Sequence, residues 1–140
     1  MEIEELIFIA GFGQLAIAIG SLAIPATLNW ANDVAQLRPL TRQVFWTYAA
    51  YIWTTNIFFG IISISFPMEL TSGGNIAMAL SLFIAVYWGA RVVIQFTYFD
   101  RSDAPSGMKY TLAEILLVTT FIFLTIIYSY SAWNNLGMSS

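Results

Sequence analysis

Long apolar runs separated by short polar links fill almost the whole chain. The runs cover Leu6–Leu28, Val44–Phe66, Ile76–Phe99 and Tyr110–Trp133. A helix of about 20 apolar residues crosses a hydrocarbon core of about 30 Å, and each run is long enough to cross with some tilt. The pattern therefore predicts four transmembrane helices, at about residues 6–28, 42–66, 76–99 and 110–133.

The links are too short for anything except antiparallel packing of consecutive helices. We therefore expect an all-α integral membrane protein, in which residues 1–140 form a single transmembrane domain with an up-down-up-down four-helix bundle. The first link adds one element, because Trp30, Val34 and Leu37 recur at helical spacing opposite polar residues. That spacing predicts a short amphipathic helix lying in the membrane interface between the first two spans.

Composition supports a membrane protein and excludes several kinds of chemistry. Hydrophobic residues make up 59% of the chain and charged residues 9%, whereas soluble domains carry about 25% charged residues. The chain has no cysteine and no histidine, which excludes disulfides, thiolate nucleophiles, Cys/His metal sites and histidine-ligated haem. We predict no catalytic residue, no metal site and no cofactor. A net charge of −3 without a basic patch argues against binding to nucleic acid.

Basic residues predict the orientation of the bundle. Arg38, Arg101 and Lys109 lie in links on one side of the predicted membrane, and Arg42 lies on the same side at the entry to the second helix. The positive-inside rule places the links at residues 29–41 and 100–109 in the cytoplasm. Both termini are then expected outside, which is the periplasm for a protein of a bacterial inner membrane.

Arg91 is the most costly residue of the predicted spans. It lies eight residues before Phe99, about 12 Å from the inner end of the third helix. A charged side chain near the bilayer centre costs about 2.5–3.5 kcal/mol on insertion scales. Tyr87, Gln95 and Tyr98 lie on the same helix face, so the third helix is expected to carry a polar stripe.

Polar residues on the other helices lie at heights where they could meet this stripe. Gln14 and Asn56 fall near mid-membrane, and Glu114 lies near the height of Gln95. The functional hypothesis is a pocket that opens to the cytoplasm, in which Arg91 meets an anionic or polar head group. The predicted ligand-binding residues are Arg91, Gln95, Tyr87, Tyr98, Asn56, Gln14 and Glu114.

Two structural interpretations compete with the pocket. The polar residues could hold the helices together through hydrogen bonds, or Arg91 could extend to the interface. Side chains lean toward the N-terminus of their helix, which disfavours that extension because it points Arg91 away from the nearer surface. Thr111 and Glu114 also match a capping box, with Glu114 a helix cap or a counter-ion of Arg91.

Small and aromatic residues predict contacts of the helices with each other and with the interface. Gly13, Ala16 and Gly20 share a face of the first helix, which could pack within the bundle or against another subunit. Aromatic residues near the predicted span ends are expected to form interfacial belts. They are Trp30, Trp46, Tyr98, Tyr110, Tyr128, Tyr130 and Trp133.

Three functions remain open on these patterns. The first is a small accessory or scaffold subunit that binds a membrane protein partner or a lipid-like ligand in the lipid bilayer. The second is an oligomeric transporter or channel for small solutes that uses the Arg91 cluster. The third is a membrane enzyme for a lipid-like substrate. A membrane protein partner or a homo-oligomer is expected in the first two cases.

Overall fold

The computed structural model describes residues 1–139, and within them every regular element is helical. Four of the helices are long, and three short ones lie in the connections between them. They are α1 (Ile3–Ser21), α2 (Ile24–Thr27), α3 (Trp30–Ala35), α4 (Pro39–Ser65), α5 (Pro67–Leu70), α6 (Asn75–Thr97) and α7 (Met108–Ser139).

Three segments are long and apolar enough to cross a membrane. They are Ile3–Thr27, Asn75–Thr97 and Met108–Met138. These helices confirm the prediction of an all-α protein that is embedded in a membrane and in contact with lipid. The remaining long helix, α4, has 27 residues, but several polar side chains in its first half lower its hydropathy. A fourth span and an up-down-up-down crossing stay predictions.

Proline and glycine mark the ends of the elements. Pro39 opens α4 and Pro67 opens α5, since proline lacks the N–H that the first turn of a helix leaves unpaired. Between α5 and α6, Gly73 has a φ of +88°, a conformation that glycine adopts without strain. The short helix predicted in the first link is present as α3.

The long helices pack as two antiparallel pairs. In the first pair α1 contacts α4, and Trp53 donates its ring N–H to the carbonyl oxygen of Ala18 at 2.9 Å. Farther along, Gly11 faces Gly60 so closely that a Cβ atom on Gly11 would lie 2.8 Å from the carbonyl oxygen of Gly60. In the second pair α6 contacts α7.

A shared apolar core joins the two pairs. Residues from all four long helices contribute to it, and α5 closes it at the end where α4 stops by packing against α1 and α6. Among the most deeply buried members are Ile7, Phe59, Ile84, Trp88, Leu124 and Tyr128. This core sets the relative rotation of the helices, and the rotation determines which polar side chains meet.

Candidate functional site

A buried network at the centre of the bundle takes one polar side chain from each long helix. Gln14 of α1 is fully buried and donates from Nε2 to the hydroxyl of Tyr128 on α7 at 2.6 Å. Trp88 of α6 donates from Nε1 to Oε1 of Gln14 at 3.0 Å. Ser63 of α4 hydrogen-bonds to the same Tyr128 hydroxyl. These four residues, which we call the central network, therefore join all four long helices through uncharged groups.

Asn56 and Tyr87 form a second link beside the central network. The hydroxyl of Tyr87 donates to Oδ1 of Asn56 at 2.7 Å, which connects α6 with α4. The ring of Tyr87 packs edge-on against Phe59 and Trp88, with centroid distances of 5.2 and 5.1 Å. Both predicted site residues are therefore engaged with other parts of the bundle.

A chain of charged and amide groups lies where α6 ends and α7 begins. Arg91 donates from Nη1 to Oε1 of Gln95 at 2.9 Å, and Gln95 donates from Nε2 to Glu114 at 3.3 Å. Glu114 also pairs with Arg101, in the link between α6 and α7, at 2.5 Å. We call these four residues the inner chain. It spans only α6, α7 and the link between them.

The guanidinium of Arg91 lies between two aromatic rings. Its central carbon is 4.9 Å from the ring centroid of Phe99 and 5.1 Å from that of Phe121. Gln95 and Phe99 both follow Arg91 in the chain, at and just beyond the C-terminal end of α6. The expected lean of Arg91 toward the N-terminus of its helix is therefore wrong, because the Gln95 amide and the Phe99 ring hold the guanidinium toward the C-terminal end.

Glu114 does not cap α7. The helix begins at Met108, and Thr111 lies inside the first turn, where its hydroxyl donates to the carbonyl oxygen of Gly107 at 3.2 Å. The predicted capping box is therefore not formed. Glu114 instead accepts from Gln95 and Arg101, and within residues 1–139 the ion pair with Arg101 is the only one. In the described structure Arg91 has no direct carboxylate partner.

The predicted site residues thus separate into three groups rather than one cluster. Gln14 belongs to the central network, and Asn56 pairs with Tyr87. Arg91, Gln95 and Glu114 belong to the inner chain. Tyr98 joins none of these groups, because 80% of its surface is exposed. The ligand-binding role of these residues stays a prediction.

A crevice of about 260 Å³ lies beside the inner chain. Its lining includes Arg101 and Glu114 together with apolar side chains of α6 and α7, but it does not include Arg91. Next to it in the link, Asp100 accepts the backbone N–H of Ser102 at 2.9 Å, and this hydrogen bond lowers the pKa of Asp100 from its ordinary value. In the described part of the chain no three acidic side chains are placed as metal ligands.

The small-residue face of α1 does not pack inside the bundle. Ala16 and Gly20 are exposed, and a Cβ atom on Gly13 would meet only the methyl group of Thr120, at 3.9 Å. The close contact of α1 occurs instead at Gly11, on the side of the helix that faces α4. Packing of this face against another subunit stays a prediction.

Sequence reasoning missed Tyr128 as a member of the core. The sequence predicts Tyr128 in an interfacial belt because the fourth apolar run ends near residue 133. However, α7 continues to Ser139 and Tyr128 is fully buried. Its position one helical turn before Ser131, on the same face of α7, was the available signal.

A fourth polar group, at the end of the bundle where α4 stops, was also missed. The carbonyl oxygen of Leu70 accepts from Asn135 at 2.7 Å, from Ser131 at 3.3 Å and from Ser81 at 3.4 Å. Asn135 in turn accepts the backbone N–H of Gly73 at 2.9 Å. These bonds tie the turn between α5 and α6 to the end of α7.

Comparison with protein-family models, with curated proteins and with solved structures finds no match to this chain.

Proposed function

We propose that the protein is a small integral membrane subunit that acts by binding, either to a membrane protein partner or to a lipid-like ligand. One observation carries the proposal: the polar side chains in the middle of the bundle bond to each other. In the central network, Gln14, Ser63, Trp88 and Tyr128 satisfy one another across four helices. Within a membrane such bonds hold helices together, which suits a scaffold.

The same contacts support four spans. Ser63 and Asn56 of α4 bond to residues of α7 and α6, which are both long and apolar enough to cross a membrane. At 1.5 Å per residue α4 is about 40 Å long, sufficient to cross beside them. We therefore propose an up-down-up-down bundle. The basic links at residues 29–41 and 100–109 favour a cytoplasmic position for those links in a bacterial inner membrane.

One observation favours a second candidate, a transporter or channel that admits an anionic solute. Arg91 has a single hydrogen-bond acceptor and no carboxylate partner within the described residues, and the inner chain leads from it to the exposed Arg101. Above Arg91, however, Trp88 stacks on Phe121 at 5.2 Å with an interplanar angle of 17°. Trp88 belongs to the central network and Phe121 contacts Arg91, so stacked rings lie where the inner chain meets the central network, which argues against a continuous path.

The deciding experiment is native mass spectrometry of the protein extracted from its own membrane in lipid nanodiscs. A scaffold should emerge with a partner protein or with bound lipid. The purified chain alone, reconstituted in liposomes, should then pass no small anions above the background of empty liposomes. Anion flux that is lost in Arg91→Ala and kept in Arg91→Lys would contradict the scaffold and support the second candidate.

A further inference from the structure

The first half of α4 presents polar side chains on the side that faces away from the core. Gln43, Thr47, Ala50, Tyr51 and Thr54 are all exposed, and we call them the α4 stripe. The buried residues of α4 lie on the opposite side of the helix, between Asn56 and Ser63. The α4 stripe is therefore an outer surface of the bundle.

This surface lies at a depth where polar groups need partners. Tyr51 is twelve residues after Pro39 and fourteen before Ser65, about 18 and 21 Å from the two ends of α4. The Tyr51 hydroxyl has no hydrogen-bond partner within residues 1–139. A polar group left without a partner in hydrocarbon is costly. The exposed side chains at mid-height on α1 and α6 include apolar ones such as Phe12 and Val86, which are 53% and 60% exposed.

The spacing of the α4 stripe is that of a helix-packing seam. Gln43, Thr47, Ala50 and Thr54 follow each other at intervals of four, three and four residues, which is the heptad spacing of two helices packed side by side. Ala50 and the two threonines are small, so a second helix backbone can approach closely. Each threonine hydroxyl already donates to a carbonyl of its own helix at 2.8 Å, and its oxygen still accepts.

We propose that the α4 stripe is the interface of a homodimer, in which it packs against the α4 stripe of a second copy of this chain. Its side chains are uncharged: the Tyr51 hydroxyl and the Gln43 amide can still donate, and the threonine oxygens can still accept. Two identical stripes therefore offer each other donors and acceptors, as a twofold interface requires. Copies inserted in the same orientation are related by an axis along the membrane normal, so Thr47, Ala50 and Thr54 face their own counterparts. The inference rests on the proposed crossing of the membrane by α4.

The absence of cysteine from the chain allows a direct test. Thr47→Cys, Ala50→Cys and Thr54→Cys are made one at a time in the full chain and oxidised in native membranes. We expect a disulfide-linked product of twice 15.6 kDa, because counterparts in a tight seam come within the reach of a disulfide. The matched control is Val86→Cys on α6, exposed and about 17 Å from the inner end of its helix. It should give no such product.

The outcomes separate this inference from the proposed function. Cross-linking at the stripe positions and not at Val86 supports the homodimer. Cross-linking to a protein of different mass overturns it, while leaving the scaffold intact. If no product forms, a membrane-impermeant thiol reagent is applied to Thr54→Cys in opened membranes. Labelling shows that α4 does not span and overturns the four-span bundle together with the homodimer, whereas protection overturns the homodimer alone.

Removing a hydroxyl gives a second measurement. Tyr51→Phe keeps the ring and should weaken dimerisation in liposomes about three- to ten-fold, measured by energy transfer between labelled copies as the lipid-to-protein ratio rises. One interhelical hydrogen bond in a membrane changes the dimerisation constant by a factor of about three. Because the dimer is twofold symmetric, the substitution removes the bond from both copies. Tyr130→Phe, on an exposed tyrosine of α7, is the control. Equal effects of the two variants would refute the interface.

Discussion

The central network and the inner chain use polar residues of the same bundle in different ways. The central network is buried, uncharged and shared by four helices, whereas the inner chain is charged, partly exposed and confined to α6, α7 and their link. A buried polar group that loses its partner cannot turn to water, whereas a group at the end of the bundle can. The central network should therefore contribute most to the stability of the bundle, and the inner chain should tolerate substitution.

The largest effect is expected for Gln14→Leu. This change leaves the Tyr128 hydroxyl and the Trp88 ring N–H with fewer partners in a dry core, and each buried unsatisfied group costs about 1–3 kcal/mol. We expect the free energy of unfolding to fall by about 2–5 kcal/mol, measured as a lower melting temperature in detergent. Gln36→Leu, at an exposed glutamine near α3, is the control. Similar melting temperatures for Gln14→Leu and the unmodified chain would contradict the expectation that the central network contributes more to stability than the inner chain does.

A smaller effect is expected for Gly11→Ala, also in the interior. The added Cβ would lie 2.7 Å from Cγ1 of Ile64 and 2.8 Å from the carbonyl oxygen of Gly60, so α1 and α4 must separate. Overpacking of this kind costs about 1–3 kcal/mol. Gly20→Ala is the matched control, because nothing lies within 4 Å of its added Cβ. An equal decrease in melting temperature for the two variants would contradict the close contact.

A modest effect is expected for Arg91→Leu at the inner end. The variant loses the Gln95 bond and the contacts with Phe99 and Phe121, and cation–π contacts contribute about 0.5–2 kcal/mol. The same change removes a charge that is costly to bury in the membrane, and this gain offsets part of the loss. We therefore expect the free energy of unfolding in detergent to change by about 1 kcal/mol or less. A loss as large as that for Gln14→Leu would show that Arg91 is as structurally important as the central network.

The smallest effect is expected for Glu114→Gln. Arg101 and Glu114 are partly exposed, with 49% and 32% of their side-chain surfaces accessible, and surface ion pairs contribute about 0–1 kcal/mol. The difference in melting temperature between the variant and the unmodified chain should shrink further at high salt, because the pair is screened. Glu4→Gln provides the baseline. A difference that persists at 1 M salt would indicate a shielded pair.

The residues of the site show how far prediction from sequence reached. Gln14, Asn56 and Arg91 could be singled out, because a polar residue in an apolar run is visible without a structure. Their partners could not, because a helix turns by about 100° per residue and a small change in rotation or register exchanges one neighbour for another. Tyr128 and Ser63 were assigned no role in the site for this reason.

The membrane class, the approximate positions of the long helices and the polar residues between them follow from hydropathy and residue type. These are local properties, summed along about 20 residues, and they do not depend on where the helices lie relative to each other. The division of the polar residues into a central network and an inner chain depends on the packing of α1 against α4 and of α6 against α7. That packing is set by steric contacts such as Gly11 against Gly60, between residues far apart in the chain.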